Sequence, residues 1–140
     1  MKALFLKILG IFSLIFMMNC QSQNQTNQNI ERKWMLVNFK NYEKNYLVKA
    51  KAYLDLTNSE MANANMGCNS LSFQIKKKTE GKISFTGGIS TMMACQNFMD
   101  LEQDFSKELA NIKTYKIEGH FLTLSDENGN IMKFVAEDWD

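Results

Sequence analysis

The apolar positions change their period several times along the chain, and each change predicts an element. Residues 1–19 carry Lys2 and Lys7 and then an apolar run from Ile8 to Met18, broken only by Gly10 and Ser13. That run is too short to cross a bilayer as a mature helix, and a charged start with a short apolar centre is what the export machinery reads, so a removable signal is expected. Gln21 to Asn29 reads QSQNQTNQN and holds no apolar residue. Such a stretch buries too little surface to offset its ordering entropy, which predicts a tether. From Ile30 onward the pattern is that of a folded domain. Trp34 to Phe39 is a short apolar stretch. In Tyr46 to Leu56, Val48, Ala50, Ala52, Leu54 and Leu56 share one parity while Lys49, Lys51 and Asp55 take the other. Period two predicts a strand with one wet face. Met61 to Met66, Leu71 to Ile75, and Ile83 with Phe85 repeat that period, and a turn-like stretch from Lys78 to Lys82 separates the last two. The lysine run Lys76 to Lys78 reads as the solvated end of a hairpin.

Asp100 to Asn111 shifts to helical spacing, with Leu101, Phe105, Leu109 and Ile112 on one side and Glu102, Asp104, Lys107 and Glu108 on the other. One amphipathic helix is predicted, started by a capping box of Asp100 with Gln103 and ended near Asn111. Thr114 to Glu118, Phe121 to Leu124 and Ile131 to Val135 then predict three strands joined by turns at Gly119 and at Asp126 to Gly129. The expected fold class is α+β, mainly antiparallel β, one compact domain in which a curved meander carries one helix. The expected organisation is a signal peptide over 1–19, an anchor and tether over 20–29, a domain over 30–136 and an acidic tail over 137–140.

Composition narrows the function classes. The 140 residues leave room for one domain. Loss of the signal removes Lys2 and Lys7, so sixteen basic against fifteen acidic residues becomes fourteen against fifteen. A near-neutral domain lacks the basic face that nucleic-acid binding requires, so no nucleic-acid partner is expected. His120 is the single histidine, set in a turn between two strands, where solvation is its ordinary fate. GxSxG, phosphate-loop and HExxH signatures are absent, and the acidic end around Trp139 reads as a solvated tail rather than a calcium loop. No enzymatic activity and no cofactor are expected.

Three cysteines remain to be explained. Cys20 directly follows the apolar run and resembles the cysteine of a bacterial lipobox, although Met17, Met18 and Asn19 stand where that motif usually has a leucine and small residues. The resemblance implies a lipidated N-terminus that holds the protein at a membrane surface without a transmembrane helix. With Cys20 so used, an exported chain keeps Cys68 and Cys95, for which a disulfide is expected. The rival is a soft-metal site, because two thiolates with Met66 and with Met92 or Met93 are ligand types that favour Cu(I). That alternative is a copper-handling or redox protein and requires reduced cysteines.

The segment GCNS at Gly67 to Ser70, STMMAC at Ser90 to Cys95, then Leu101 to Phe105 and Leu122 to Leu124 resemble in order and spacing the META domain of HslJ-type heat-shock lipoproteins. The likeness covers about Ile30 to Val135, with Trp34 as the early tryptophan. Thr91-Met92-Met93 departs from the Thr-Arg-Met that often precedes the second cysteine, so no arginine role carries over. What the resemblance implies is a compact META-type β domain with one helix, found in envelope proteins associated with stress and antibiotic tolerance. On this reading Gly67, Cys68, Asn69, Thr91, Met93 and Cys95 form a structural centre, with Asn69 and Thr91 satisfying backbone groups at turns. The protein is then a monomeric, non-catalytic binding module of the bacterial envelope, lipid-anchored at the outer membrane and facing the periplasm. Its partner would be an envelope protein or peptide held in any groove beside that centre.

Overall fold

A computed structural model describes residues 29–139; the expected signal and all but the last residue of the expected tether lie outside them. Eight antiparallel strands follow one another around a closed barrel in chain order. They are β1 (Lys33–Phe39), β2 (Tyr53–Asp55), β3 (Met61–Asn65), β4 (Ser70–Thr79), β5 (Lys82–Ser90), β6 (Thr114–Glu118), β7 (Phe121–Ser125) and β8 (Ile131–Ala136). Helix α1 (Lys44–Ala50) lies between β1 and β2, helix α2 (Met99–Leu109) between β5 and β6, and a 3-10 turn over Glu137–Trp139 follows β8. The expected meander thus closes on itself, β1 pairing with β8 from Trp34 opposite Ala136 to Phe39 opposite Met132. Closure removes the sheet edges that an open meander would expose.

Alternate residues of the strands point inward and fill the barrel. Trp34, Leu36, Leu54, Phe73, Phe85, Leu122, Leu124 and Phe134 are all buried and belong to one continuous core. The indole N–H of Trp34 donates to the carbonyl of Ile30 at 2.9 Å, which starts the fold near residue 30. The β5–β6 seam is the thinnest: its pairing register holds only Lys82 opposite Thr114. Two further bonds, Ile83 N–H to Lys113 and Tyr115 N–H to Gly81, reinforce that corner. Leu101, Phe105 and Leu109 of α2 are buried in the same core, so the predicted amphipathic helix completes the barrel's filling.

Two expectations need correction. Residues 46–50 are helical rather than extended, so the domain has two helices and not one. Ala50, Ala52, Leu54 and Leu56 are all buried, but the period-two run crosses a helix–strand junction, and Val48 points outward while Leu47 is buried. Lys51 ends α1 in the left-handed region with φ 49°, its N–H turned back to the carbonyls of Leu47 and Val48. The second correction concerns α2. Its N-cap is Phe98 with φ 68° and no side-chain cap, so Asp100 and Gln103 form no capping box. Asp100 instead accepts a hydrogen bond from the hydroxyl of Tyr46 at 2.9 Å.

Candidate functional site

Gly67–Asn69 lies in the turn between β3 and β4, with Ser70 opening β4, and Thr91–Cys95 leaves the end of β5. The β4–β5 pairing runs to Leu71 opposite Ser90 and so brings the two motifs side by side. Cys68 and Cys95 are joined as a disulfide, with Cα atoms 5.9 Å apart across 27 positions of sequence.

Asn69 is the hub of this centre and is 2% exposed. Its Oδ1 accepts from the Thr91 hydroxyl at 2.9 Å and from the Met93 N–H at 2.7 Å. Its Nδ2 donates to Glu102 Oε1 at 3.0 Å and to the Met93 carbonyl at 3.3 Å. Its backbone N–H donates to Glu102 Oε2 at 2.7 Å, so one carboxyl group of α2 takes two donors from one residue. Thr91 Oγ1 also accepts the N–H of Ser70 at 3.1 Å. A buried amide of this kind costs free energy unless all its groups are paired, and here every one is. Gly67 adopts φ +101°, and a Cβ there would sit 2.7 Å from the ring of Phe98 and 3.1 Å from Cβ of Ala50. Glycine is therefore required twice, for its backbone angle and for the close approach of Phe98.

The structure gathers Cys68, Cys95, Gly67, Asn69, Thr91 and Met93 into one centre, but it separates the sulfur ligands of the copper alternative. Met66 lies wholly in the core, Met92 is 98% exposed, and the two cysteines are bonded to each other. A disulfide has no thiolate to offer a metal. The sulfur nearest the bridge is instead Met99 Sδ, 3.5 Å from Cys68 Sγ, which no sequence spacing announced. His120 is not simply solvated: its ring stacks on Trp139 with centroids 3.4 Å apart. Glu137 and Asp138 are pinned by Lys33 and Arg32, and the Arg32 guanidinium holds the Asp138 carboxyl below its ordinary range.

A second cluster went unseen in the sequence. Tyr42 and Tyr46 stack with centroids 5.7 Å apart, Phe39 stacks on Tyr42, and Phe98 packs on Tyr46. The Tyr42 hydroxyl donates to Asp104 at 3.1 Å, and Lys40 reaches Asp104 and Glu108 at 3.2 and 3.1 Å. Burial and then the bond to Asp104 push the Tyr42 phenol well above its usual range, and burial with Asp100 raises Tyr46. These groups clamp α1 and the preceding turn to α2. The signal available was Asp100 and Asp104 at i, i+4 on the face of α2 that faces away from the core, but their tyrosine partners stand more than 50 residues earlier.

Hollows open on the surface formed by the described residues. One of about 240 Å³ lies beside the disulfide centre, between β5 and α2, lined by Phe73, Gly88, Ile89, Ser90, Ser106 and Ala110 among others. Another of about 330 Å³ sits near Lys40, Glu108 and Asp126. There the charges are already engaged, Asp126 by the side chain and backbone of Asn130, which lowers its pKa. A third, of about 650 Å³, runs between α1 and the outer face of β1, β7 and β8. Among the described residues no group of three or more histidine, cysteine or carboxylate side chains is arranged to hold a metal ion.

An eight-stranded antiparallel barrel, filled by its own side chains and one helix and braced by a disulfide between two turn motifs, is the class of protein these features define. The chain belongs to the META domain family, whose model matches residues 17–139. No curated protein matches the chain in sequence. Among solved structures it is similar to a protein from Burkholderia xenovorans determined by NMR, with 19% identity and a TM-score of 0.59 over 76% of this chain and 82% of that one. It is also similar to a DUF4847 family protein from Bacteroides vulgatus seen by crystallography, with 12% identity and a TM-score of 0.56 over 79% of this chain and 95% of that one. At such identities the likeness is one of fold.

Proposed function

We propose that this META-domain protein is an exported lipoprotein, anchored through Cys20 at the outer membrane, whose domain is a non-catalytic binding module facing the periplasm and serving envelope stress or antibiotic tolerance. The observation that carries this reading is the division of labour among the three cysteines. Cys68 and Cys95 are bonded to each other, as suits an oxidising compartment, and Cys20 stands alone directly behind the apolar run. Among the described residues no helix is long and apolar enough to cross a membrane, so attachment would fall to the lipid. The polar atoms of Asn69 are consumed within the fold, its bonds being made to Asn65, Cys68, Thr91, Met93 and Glu102, which favours scaffolding over chemistry. The hollow beside that centre, between β5 and α2, is where an envelope peptide or protein would be held.

The intact mass of protein from the membrane fraction, alkylated under denaturing conditions with and without prior reduction, tests this. The expected result is a lipid mass on a chain that begins at Cys20, with two thiols labelled only after reduction. A mass without lipid removes the anchor, and thiols that label without reduction remove the disulfide and restore copper titration as the next measurement.

A further inference from the structure

The hollow between α1 and the barrel joins apolar and basic groups. Its floor is apolar, from Met35 and Val37 on the outer face of β1 to Val135 on β8. Its rim holds Val48 of α1 at 59% exposure, Phe121 of β7 at 41% and Trp139 at 62%, all large apolar groups facing solvent. Three lysines stand among them, Lys44 and Lys51 at the two ends of α1 and Lys133 on β8. None of the three makes an ion pair among the described residues, and Lys133 rests over the ring of Phe121 at 4.6 Å. Of the acidic groups nearby, Glu137 and Asp138 pair with Lys33 and Arg32, and Glu118 pairs with Lys116 while also feeling the charge of Lys133. Glu43 directly precedes Lys44, one carboxylate against the three lysines. What remains is an apolar surface with a surplus of positive charge.

The place of this face in the chain adds a second observation. Trp34 opposes Ala136 in the β1–β8 register, and Arg32 grips Asp138, so the start of the domain and Trp139 share one end of the barrel. Eight residues lie between Cys20 and Asn29, a span of at most about 30 Å even when fully extended. A bilayer that holds Cys20 therefore lies within reach of Trp139. Tryptophan at a lipid headgroup boundary keeps its ring in the apolar layer and its N–H in water, and lysines beside it meet anionic phosphates. His120 stacks flat against one face of the indole, and Trp139 stays 62% exposed.

We propose that the face formed by Val48, Phe121 and Trp139 with Lys44, Lys51 and Lys133 docks the barrel onto the anionic surface of the membrane that anchors it. This rests on the Cys20 anchor proposed above. Docking orients the domain and leaves the hollow between β5 and α2 outside the contact.

The test uses the lipidated full chain reconstituted into vesicles of phosphatidylcholine alone, or of phosphatidylcholine with phosphatidylglycerol, each carrying brominated acyl chains. The protein has two tryptophans, and Trp34 is wholly buried, so Trp139 reports contact with lipid. With phosphatidylglycerol present, Trp139 emission shifts to the blue and is quenched, and raised salt reverses the effect by screening the lysines. Trp139→Phe abolishes the signal. Replacing Lys44, Lys51 and Lys133 by glutamine lowers the docking constant roughly fivefold for each lysine, or about two orders of magnitude together, while flotation with the vesicles is unchanged. Wild-type protein that floats with both vesicles yet shows no quenching in either, or equal quenching in both, overturns the docking face. Failure to float with phosphatidylcholine alone overturns the anchor instead. In that case docking is read as salt-sensitive flotation with phosphatidylglycerol vesicles, and absence of that flotation overturns it as well.

Discussion

The disulfide centre and the lysine-rimmed face of α1, β7 and β8 are built on opposite terms. At the centre every polar atom is spent inside the fold: Asn69 binds Thr91, Met93 and Glu102, and the two thiols are spent on each other. On the outer face the large apolar groups Val48, Phe121 and Trp139 remain 59%, 41% and 62% exposed, and Lys44 and Lys51 have no ion-pair partner among the described residues. The recognisable motif therefore holds the protein together, while the surface with unspent interaction energy has no motif. Residues that must pack against one another leave a fixed spacing in the sequence, whereas residues that face a fluid surface need only the right chemistry and exposure.

If the comparison is right, changes at the centre cost stability. The largest effect comes from the disulfide, because it closes a 27-residue separation in the unfolded chain. Chain entropy gives about 3.5 kcal/mol for a loop of that size. Denaturant titration with and without reductant, or with Cys68→Ser/Cys95→Ser, should show a loss of that order and no change in membrane attachment. Asn69→Ala comes next. It strips the side-chain donor from the buried Glu102, which keeps only the backbone N–H of residue 69, and frees the Thr91 hydroxyl and the Met93 N–H, which should cost about 3 kcal/mol in the same titration. Gly67→Ala is smaller, about 2 kcal/mol, since it combines a strained φ with displacement of a single ring. A loss of near-UV circular dichroism from the Phe98–Tyr46 pair would accompany it. A stable, fully folded Asn69→Ala protein would break the distinction between the two regions.

Much of this centre was legible because its determinants are local. The helix over Met99–Leu109 and the three closing strands follow from short-range period and turn chemistry, and the GCNS and STMMAC segments stand out by their resemblance to the family. Two kinds of feature were not. Helix α1 was hidden because Ala50, Ala52, Leu54 and Leu56 keep one parity across the junction with β2, so a seven-residue helix borrowed the pattern of the strand behind it. Only Leu47 buried in place of Val48 reveals the difference, and that depends on how α1 lies on β1. The capping box failed for a related reason. Asp100 had the right spacing to Gln103, but a tyrosine 54 residues earlier competes for its carboxylate. Barrel closure, too, depends on β1 meeting β8 across the whole chain, a pairing that no local period encodes.

The clamp between α1 and α2 lies between the two regions and should respond to pH. Tyr42 and Tyr46 are both raised above their ordinary pKa, first by burial and then by bonds to Asp104 and Asp100. A group whose folded pKa exceeds its unfolded value lends stability in full below the unfolded pKa and loses it as pH rises toward the folded one. Tyrosine's ordinary value near 10 sets the onset, so the clamp holds at neutral pH and weakens progressively above about pH 10. Lys40 acts in the same direction: burial opposes its charge, but its bonds to Glu108 and Asp104 outweigh that and raise its pKa. Tyr42→Phe should cost about 1 kcal/mol or less at pH 7, since the hydroxyl is only part-buried. Tyr42→Phe/Tyr46→Phe should flatten the alkaline limb of a stability–pH curve measured by denaturant titration. An unchanged alkaline limb would assign that fall to the lysines.

The smallest stability effect is expected where the functional effect is largest. Lys44, Lys51 and Lys133 make no ion pair within the described residues, so their removal breaks no bond of the fold. Lys133 forfeits only its contact with the ring of Phe121, a weak attraction at an exposed position. Glutamine at all three positions should leave the denaturation midpoint within experimental scatter of the wild type. Its consequence should appear only in salt-sensitive contact with anionic vesicles, where charge is what the surface reads. The disulfide variant should behave in the opposite way, less stable yet unimpaired in that contact while folded. Measured side by side, the two variants separate holding the barrel together from presenting it to a surface. A lysine variant that lost stability as well would mean that these side chains bind within the protein, and the face would then have no charge to spare.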